Sequence, residues 1–340
     1  MLRVLDEMPE GLLEAGPGDL LKLFGGPALL HLDGQRPAPL FVSVLLHGNE
    51  DTGFFAVRAL LEKYRDRPPP RALSIFFGNV EAAARGLRRL EGQPDYNRVW
   101  PGADTRGTPE HAMMQAICDD LAARGVFAAI DVHNNTGINP HYACVNRLEH
   151  RFLRLAALFS RTVVYFTRPR GVASLAFSRL CPAVTVECGK AGQAHGIEHA
   201  RDYLDTCLHL EEIPVAAVPG HDIDLYHTVV TVKVPEGLSF GFGAGGGVDI
   251  DFLPDLDHLN FRELPPGTQL ARVRPGRQVR LEAWDELGRD IGDDYFEIRD
   301  GELRLRRAVM PAMFTLDARI VRQDCLGYLM EQYELIDAEP

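Results

Sequence analysis

The residues of this sequence best suited to chemistry are His47 and Glu50, in the segment HGNE. An apolar run from Leu40 to Leu46 ends directly before them, and a helical pattern begins at about residue 51. The run predicts a buried strand, and α/β enzymes place their site residues where such strands end. Because imidazole and carboxylate groups are common ligands of zinc, we expect His47 and Glu50 to hold a zinc ion.

The spacing of these two residues is weak evidence by itself. His-x-x-Glu occurs three times in the chain, at His47/Glu50, His195/Glu198 and His209/Glu212. Only the first pair follows a buried strand and includes a glycine turn. The last pair lies at the end of an amphipathic helix, where a solvated face is the better explanation. His195 is in a loop near Glu187 in the sequence, and for a lone histidine we favour a surface or helix-start position there.

A third ligand is expected, because catalytic zinc commonly has three protein ligands and one open position. His133 fits, since the apolar segment Val126–Ile130 predicts a strand that leads to Asp131-Val132-His133. Asp131 lies two residues earlier and therefore points to the same side of the strand, where it could accept a hydrogen bond from the imidazole. A capping pair at a strand end is the alternative. We favour the metal ligand because the pieces occur together.

Glu187 is the candidate general base. Zinc lowers the pKa of bound water, and a nearby carboxylate can take the proton and pass it to a leaving nitrogen. Glu187 follows the Val-rich predicted strand Ala183–Val186 and has no obvious structural partner in the sequence. An ion pair with Lys190 is the alternative interpretation.

A hydrolytic site also needs positive charge for an oxyanion and for a substrate carboxylate, which arginine binds bidentately. Arg98 lies beside Asn97 in the polar loop Asp95–Gly102. Arg88 or Arg89 precedes this loop, and we expect Arg89 to contact substrate, although a solvent-facing position at a helix end is equally compatible with the pattern.

Strands and helices alternate through the first two-thirds of the chain. Strands are predicted at Leu40–Leu46, Ala72–Phe77, Val126–Ile130, Thr162–Phe166 and Ala183–Val186, and helices at Gly53–Tyr64, Glu81–Leu90, Thr108–Ala123, Arg147–Ser160 and Ile197–Leu210. This order predicts an α/β fold with a mixed, mostly parallel sheet and helices on both faces. The carboxyl ends of its strands would bring together His47, Asn79, His133 and Glu187.

The pattern changes after Pro214. Tyr226–Val234 is rich in β-branched residues, Gly241–Gly247 is a flexible loop, and residues 278–328 alternate like short strands. We therefore expect a catalytic domain over residues 1–212 and a smaller β-rich domain over residues 213–340.

The length, net charge and cysteine content of the chain limit the classes of protein to which it can belong. The chain has 340 residues and a net charge of −12, which disfavours a nucleic-acid partner. We find neither a secretory signal at the start nor an apolar run long enough to span a membrane. The six cysteines are scattered without a CxxC pair and mostly lie in apolar segments, as in a reduced cytoplasmic protein.

These motifs, in this order, resemble the succinylglutamate desuccinylase/aspartoacylase family of zinc carboxypeptidase-like enzymes. The matching pieces are His47–Glu50, Phe77–Ala82 (FGNVEA), Asp95–Gly102 (DYNRVWPG), Asp131–His133 and Val184–Lys190 (VTVECGK). Four departures are visible. The family arginine is seven residues before the asparagine, whereas Arg89 is eight before Asn97, and Val80 and Trp100 replace Pro and Phe. The region before Glu187 lacks an arginine where aspartoacylases carry one, although Arg179 is near, and the C-terminal substrate tyrosine has no convincing match.

The resemblance implies one zinc ion on His47, Glu50 and His133, with Glu187 as general base. It also implies that Asn97 and Arg98 contact substrate, that Arg98 stabilises the oxyanion, and that a β domain follows the α/β domain. The substrate would be a small anionic acyl-amide. Whether the chain forms homo-oligomers stays open.

The leading hypothesis is a zinc-dependent hydrolase that cleaves the amide bond of an N-acyl amino acid. A carboxypeptidase-type enzyme that releases a C-terminal residue would use the same site. A non-catalytic protein braced by metal is disfavoured, because structural zinc normally has four ligands and we find three.

Overall fold

A computed structural model describes residues 2–104 and 106–335 of the chain. The described residues form two compact units. The first comprises residues 2–134 (except 105), His141–Leu225 and residues 334–335; the second comprises Asn135–Pro140 and Tyr226–Tyr333. The boundary expected at residues 212–213 lies inside the first unit.

The first unit contains a sheet whose strands lie in the order β1-β2-β4-β3-β5-β8-β6-β7. The strands are β1 (Arg3–Leu5), β2 (Ala28–Leu32), β3 (Leu40–Val44), β4 (Leu73–Phe77), β5 (Ala128–Asn135), β6 (Tyr142–Val145), β7 (Thr162–Tyr165) and β8 (Ala183–Lys190). Neighbours are parallel at β1/β2, β3/β4, β3/β5 and β6/β7, and antiparallel at β2/β4 and β6/β8. The predicted mixed, mostly parallel α/β sheet is thus confirmed.

Central strands of this sheet are hydrophobic because both of their faces are covered. Every residue of β3, β4 and β5 is buried. Such continuous burial is typical of strands in parallel sheets, which helices shield from water. The helices of this unit are α1 (Leu20–Phe24), α2 (Thr52–Lys63), α3 (Val80–Ala83), α4 (Pro109–Ala123), α5 (His150–Ala157), α6 (Ala173–Phe177) and α7 (Ala194–His209).

Local signals in the sequence account for several of these helices. In α2, Phe54, Val57, Leu60 and Leu61 recur at helical spacing and are buried. The hydroxyl of Thr108 accepts a hydrogen bond from the backbone N–H of His111 and so caps α4, as its Thr-Pro-Glu start predicts. No helix among the described residues is both long and apolar enough to cross a bilayer.

Two sequence-based expectations were wrong in detail, and one strand was not predicted. The helix predicted over Glu81–Leu90 is only the single turn α3, because the chain leaves the helix after Ala83 and turns at Gly86, where φ is +62°. The four-residue strand β6, which pairs antiparallel with β8, was not predicted from the sequence. Strands β5 and β8 also continue beyond the apolar runs, so that His133 and Glu187 lie within strands and not after them.

The second unit is built from short, mainly antiparallel strands. A five-stranded sheet has the order β10-β11-β12-β15-β14, and β9 pairs with β13 and β17. The strands are β9 (Asp224–Lys233), β10 (Phe240–Phe242), β11 (Ile250–Phe252), β12 (Gln269–Val273), β13 (Glu282–Asp285), β14 (Phe296–Arg299), β15 (Glu302–Leu305), β16 (Met310–Ala312) and β17 (Gly327–Gln332), with helices α8 (Gly292–Tyr295) and α9 (Ala318–Gln323). The smaller β-rich C-terminal part is confirmed.

Candidate metal centre and active site

The turn after β3 delivers His47 and Glu50 to the site. Leu45 has φ of +57°, which is uncommon for a bulky residue and turns the chain sharply. Gly48 passes so close to α3 that a Cβ atom there would lie 2.2 Å from the backbone nitrogen of Ala83. A glycine is therefore required at position 48, and the close approach fixes the path of the segment between the two site residues.

The carboxylate of Glu50 lies between two imidazoles. Its Oε1 atom is 2.8 Å from Nδ1 of His47, and its Oε2 atom is 2.6 Å from Nδ1 of His133. One ligand atom from each of the three residues lies within 4.8 Å of the others, and all three residues are buried. The predicted group is therefore brought together in the fold, and its two nitrogens and one carboxylate could hold a metal ion.

The opposite nitrogen of each imidazole faces a second carboxylate. Nε2 of His133 is 2.8 Å from Oδ2 of Asp131, whose Oδ1 accepts a hydrogen bond from the hydroxyl of Ser43 on the neighbouring strand. Nε2 of His47 is 3.0 Å from Oδ1 of Asp95. This arrangement suits histidines that bind a metal ion through Nδ1 and donate from Nε2–H to a carboxylate.

Electrostatics keep the central carboxylate charged. Burial favours the neutral form of Glu50, but His47 and His133 outweigh it and lower the pKa of this carboxyl. Burial also favours the neutral form of His133 and by itself would lower its pKa, yet Asp131 and Glu50 raise this pKa well above its usual value. The group is thus an anionic pocket that stabilises positive charge, which a proton on His133 or a bound cation would supply.

Glu187 is buried on β8, opposite Tyr142 in the register with β6. Burial raises the pKa of its carboxyl to about 8; His133 opposes the shift, while Glu50 and Asp131 add to it. Glu187 is not one of the three clustered ligands. A carboxyl group whose pKa lies near neutrality, beside an anionic pocket, is suited to accept and release a proton.

The loop that carries Asn97 and Arg98 lies against the same group. The side chain of Asn97 accepts a hydrogen bond from the backbone N–H of Ala173, and its Nδ2 atom is 3.2 Å from Nε2 of His133. Arg98 donates from Nη1 to the carbonyl of Asn97. Trp100, which is fully buried, anchors the loop in the core.

The two upstream arginines differ in position. Arg88 reaches the site, where Nη1 is 3.5 Å from Oε1 of Glu50 and Nη2 is 3.2 Å from Oδ2 of Asp95. Arg89, which sequence reasoning preferred, donates to the carbonyl of Gln93 in its own loop. The shorter helix α3 explains this difference, because residues 88 and 89 lie on an irregular segment to which helical spacing does not apply.

Sequence reasoning missed Asp95 as a partner of His47. Its position at the start of the DYNR segment was the available signal, but an aspartate in a polar loop usually remains in solvent. The other His-x-x-Glu pairs lie elsewhere. The ring of His195 stacks on His141, and Nδ1 of His209 lies 2.8 Å from the carbonyl of Asp205 within α7.

Comparison with known proteins agrees with this geometry. A family model for the succinylglutamate desuccinylase/aspartoacylase catalytic domain matches residues 39–209. A comparison with curated proteins finds none that matches.

Solved structures share the fold over most of the chain. Succinylglutamate desuccinylase from Chromobacterium violaceum is 17% identical with a TM-score of 0.57, and the match covers 88% of this chain and 86% of that one. Murine aminoacylase 3 is 14% identical with a TM-score of 0.56, covering 88% and 97%. The ectoine utilization protein EutE from Ruegeria pomeroyi is 17% identical with a TM-score of 0.53, covering 89% and 88%.

At these identities the structural similarities establish the fold alone. The family model does more, because it spans half of the chain and includes the clustered histidines and glutamate. The resemblance seen in the motifs is thereby confirmed, and the chain belongs to the succinylglutamate desuccinylase/aspartoacylase family.

Proposed function

We propose that the protein is a zinc-dependent hydrolase that cleaves the amide bond of an N-acyl amino acid. The observation that carries this proposal is the buried carboxylate of Glu50 between the Nδ1 atoms of His47 and His133, with Glu187 close by. Membership of a family whose name includes succinylglutamate desuccinylases and aspartoacylases supports the reaction class.

His47, Glu50 and His133 would hold one zinc ion per chain. Two imidazoles and one carboxylate form a recurring catalytic donor set, and the carboxylates at both Nε2 atoms suit histidine ligands. When bound, zinc supplies Lewis acidity, which polarises a carbonyl and lowers the pKa of water. Three protein donors leave a position open, and this favours catalysis over a purely structural metal.

Glu187 would act as the general base. Its carboxylate accepts a proton from the attacking water and passes it to the nitrogen of the leaving amine. Burial is the largest cause of its raised pKa of about 8, which lies in the range where protons exchange near neutral pH. Positive charge in the pocket would shift it further toward the ionised form that a base needs.

The guanidinium group of Arg98 and the side-chain amide of Asn97, both in the Asp95–Gly102 loop, would bind the substrate. We assign Arg98 to the developing oxyanion and Asn97 to a polar group of a small anionic acyl-amide. Arg89 would have to leave its hydrogen bond with the carbonyl of Gln93 to contact substrate.

We also place the activity in the cytoplasm, because all six cysteines are buried free thiols, as a reducing compartment favours.

Metal analysis and a substrate panel test the proposal together. Purified protein should contain about one equivalent of zinc, lose activity with a chelator and recover it with zinc. Among N-acetyl, N-succinyl and other N-acyl amino acids, at least one should be hydrolysed, and peptides with a free C-terminal residue should not be. Trimming of such peptides without hydrolysis of acyl-amino acids would indicate the carboxypeptidase reaction. Bound zinc with no hydrolysis of either set would contradict an enzymatic role.

A further inference from the structure

We infer that Asp95 is a positioning residue that ties the metal ligand His47 to the loop carrying Asn97 and Arg98, so that metal occupancy orders this loop. The inference rests on the proposed function in one respect, namely that His47 is a metal ligand. It assigns to Asp95 a role that links two parts of the site.

Both oxygens of Asp95 are engaged, and their partners come from three different parts of the site. Oδ1 lies 3.0 Å from Nε2 of His47 and accepts a 2.8 Å hydrogen bond from the backbone N–H of Asn97. Oδ2 accepts from Nη2 of Arg88 at 3.2 Å. The Asp95 side chain is only 11% exposed, so water competes little for these contacts. A single carboxylate therefore joins His47, Arg88 and the start of the substrate loop.

Metal coordination strengthens one of these contacts. A cation bound at Nδ1 of His47 requires that nitrogen to be unprotonated, which places the proton on Nε2. Nε2–H can then only donate, and Asp95 is the acceptor that faces it. This bond holds the Asp95 carboxylate, which in turn accepts the hydrogen bond from the backbone N–H of Asn97. Metal binding at His47 should thus reduce opening of the loop that carries Asn97 and Arg98.

His133, the second proposed ligand histidine, and its partner Asp131 provide an internal comparison. Asp131 faces Nε2 of His133 in the same way, but its other oxygen bonds the hydroxyl of Ser43 inside the sheet. Asp131 can therefore orient a ligand without touching the backbone of the substrate loop. Removing either carboxylate should weaken metal binding, whereas only the loss of Asp95 should release the backbone N–H of Asn97; His133 contacts the side chain of Asn97.

Zinc affinity and amide hydrogen exchange test this inference without any substrate. The wild type, Asp95→Asn, Asp131→Asn and the control Asp205→Asn, which lies outside the candidate site, would be titrated with zinc alone against a competing chelator. Both site variants should bind zinc about 10- to 100-fold more weakly than the wild type, because the acceptor that orients a ligand is lost. Asp205→Asn, whose carboxylate bonds Lys63 and Tyr64, should bind zinc normally.

Exchange of peptides spanning residues 93–100 would be compared at zero and saturating zinc. Zinc should slow exchange in the wild type and in Asp131→Asn, and should leave it unchanged in Asp95→Asn. Wild-type affinity in Asp95→Asn, or equal loss of zinc-induced protection in both variants, would overturn the inference. If Asp95→Asn does not fold, the wild type decides alone, because a loop that exchanges equally with and without zinc contradicts the coupling. A wild type that binds no zinc overturns the proposed function as well.

Discussion

Oε2 of Glu50 lies 2.6 Å from Nδ1 of His133, although 83 residues separate the two in the chain. The contact exists because β3 and β5 are parallel neighbours, so that the turn after one strand meets the carboxyl end of the other. Parallel pairing thus converts two distant sequence segments into one donor group. The arrangement makes the proposed metal ligands, the proposed base and the proposed substrate loop separately testable.

Glu187→Gln should keep zinc and lose turnover. The amide occupies nearly the same volume but cannot accept a proton, so kcat should fall by about 10²- to 10⁴-fold. Zinc content, measured on the purified variant, should remain at the wild-type value because Glu187 is not in the ligand group. Glu62→Gln, a change on the exposed side of α2, is the matched control. A Glu187→Gln enzyme with near-normal kcat would exclude Glu187 as the base.

The same residue predicts a pH dependence of stability in the metal-free protein. The pKa of Glu187 is about 8 when folded and about 4.5 when unfolded, so the folded state binds this proton more tightly. The contribution of Glu187 to the free energy of unfolding should therefore be greatest below pH 4.5 and should be lost as the pH rises to about 8. Its full size is roughly 1.4 kcal/mol for each unit by which the two pKa values differ.

Urea unfolding in chelator at pH 5 and pH 8.5 measures this effect. His133, whose pKa is also raised, contributes a loss of stability in the same direction. The comparison with Glu187→Gln separates the two, because the variant keeps the histidine and lacks the titrating carboxyl. A variant that loses as much stability as the wild type between these pH values would show that Glu187 is not held in its neutral form.

The sequence predicted that His47, Glu50 and His133 lie together, because they adjoin strong strand signals. His47 follows one apolar run and His133 lies three residues beyond another, and period-two alternation was enough to place Asp131 beside His133. The parallel pairing of β3 and β5 is then sufficient to bring these residues together.

The loop contacts could not be predicted in the same way. Between α3 and Asp95 the chain follows turns whose geometry depends on tertiary contacts, such as the bond from the Gly48 N–H to the carbonyl of Arg88. Helical periodicity therefore gave no basis for choosing between Arg88 and Arg89. The link from Asp95 to His47 spans 48 residues and leaves no local pattern in the sequence.

Substitution of the arginines should separate their roles. Arg98→Ala should lower kcat/KM by about 10²- to 10³-fold, as loss of an oxyanion donor does, with zinc content unchanged. Arg89→Ala should change kcat/KM by less than about tenfold, because Arg89 contacts the carbonyl of Gln93. Steady-state kinetics on the substrate found in the panel would measure both. A larger loss in Arg89→Ala than in Arg98→Ala would reverse the assignment.

Gly171→Ala should disturb Arg98 through the backbone. Gly171 has φ of +75°, and a Cβ atom there would lie 2.4 Å from the carbonyl oxygen of Arg98. Gly125 has φ of +64° with open space around the added atom, so Gly125→Ala introduces the backbone strain without the clash. The control should lose about 1–2 kcal/mol of stability and keep full activity. Gly171→Ala should lose more stability, measured by urea unfolding, and also kcat/KM, since the loop must move away from residue 171. Equal stability losses, with activity retained in both variants, would show that the position of Arg98 does not depend on this contact.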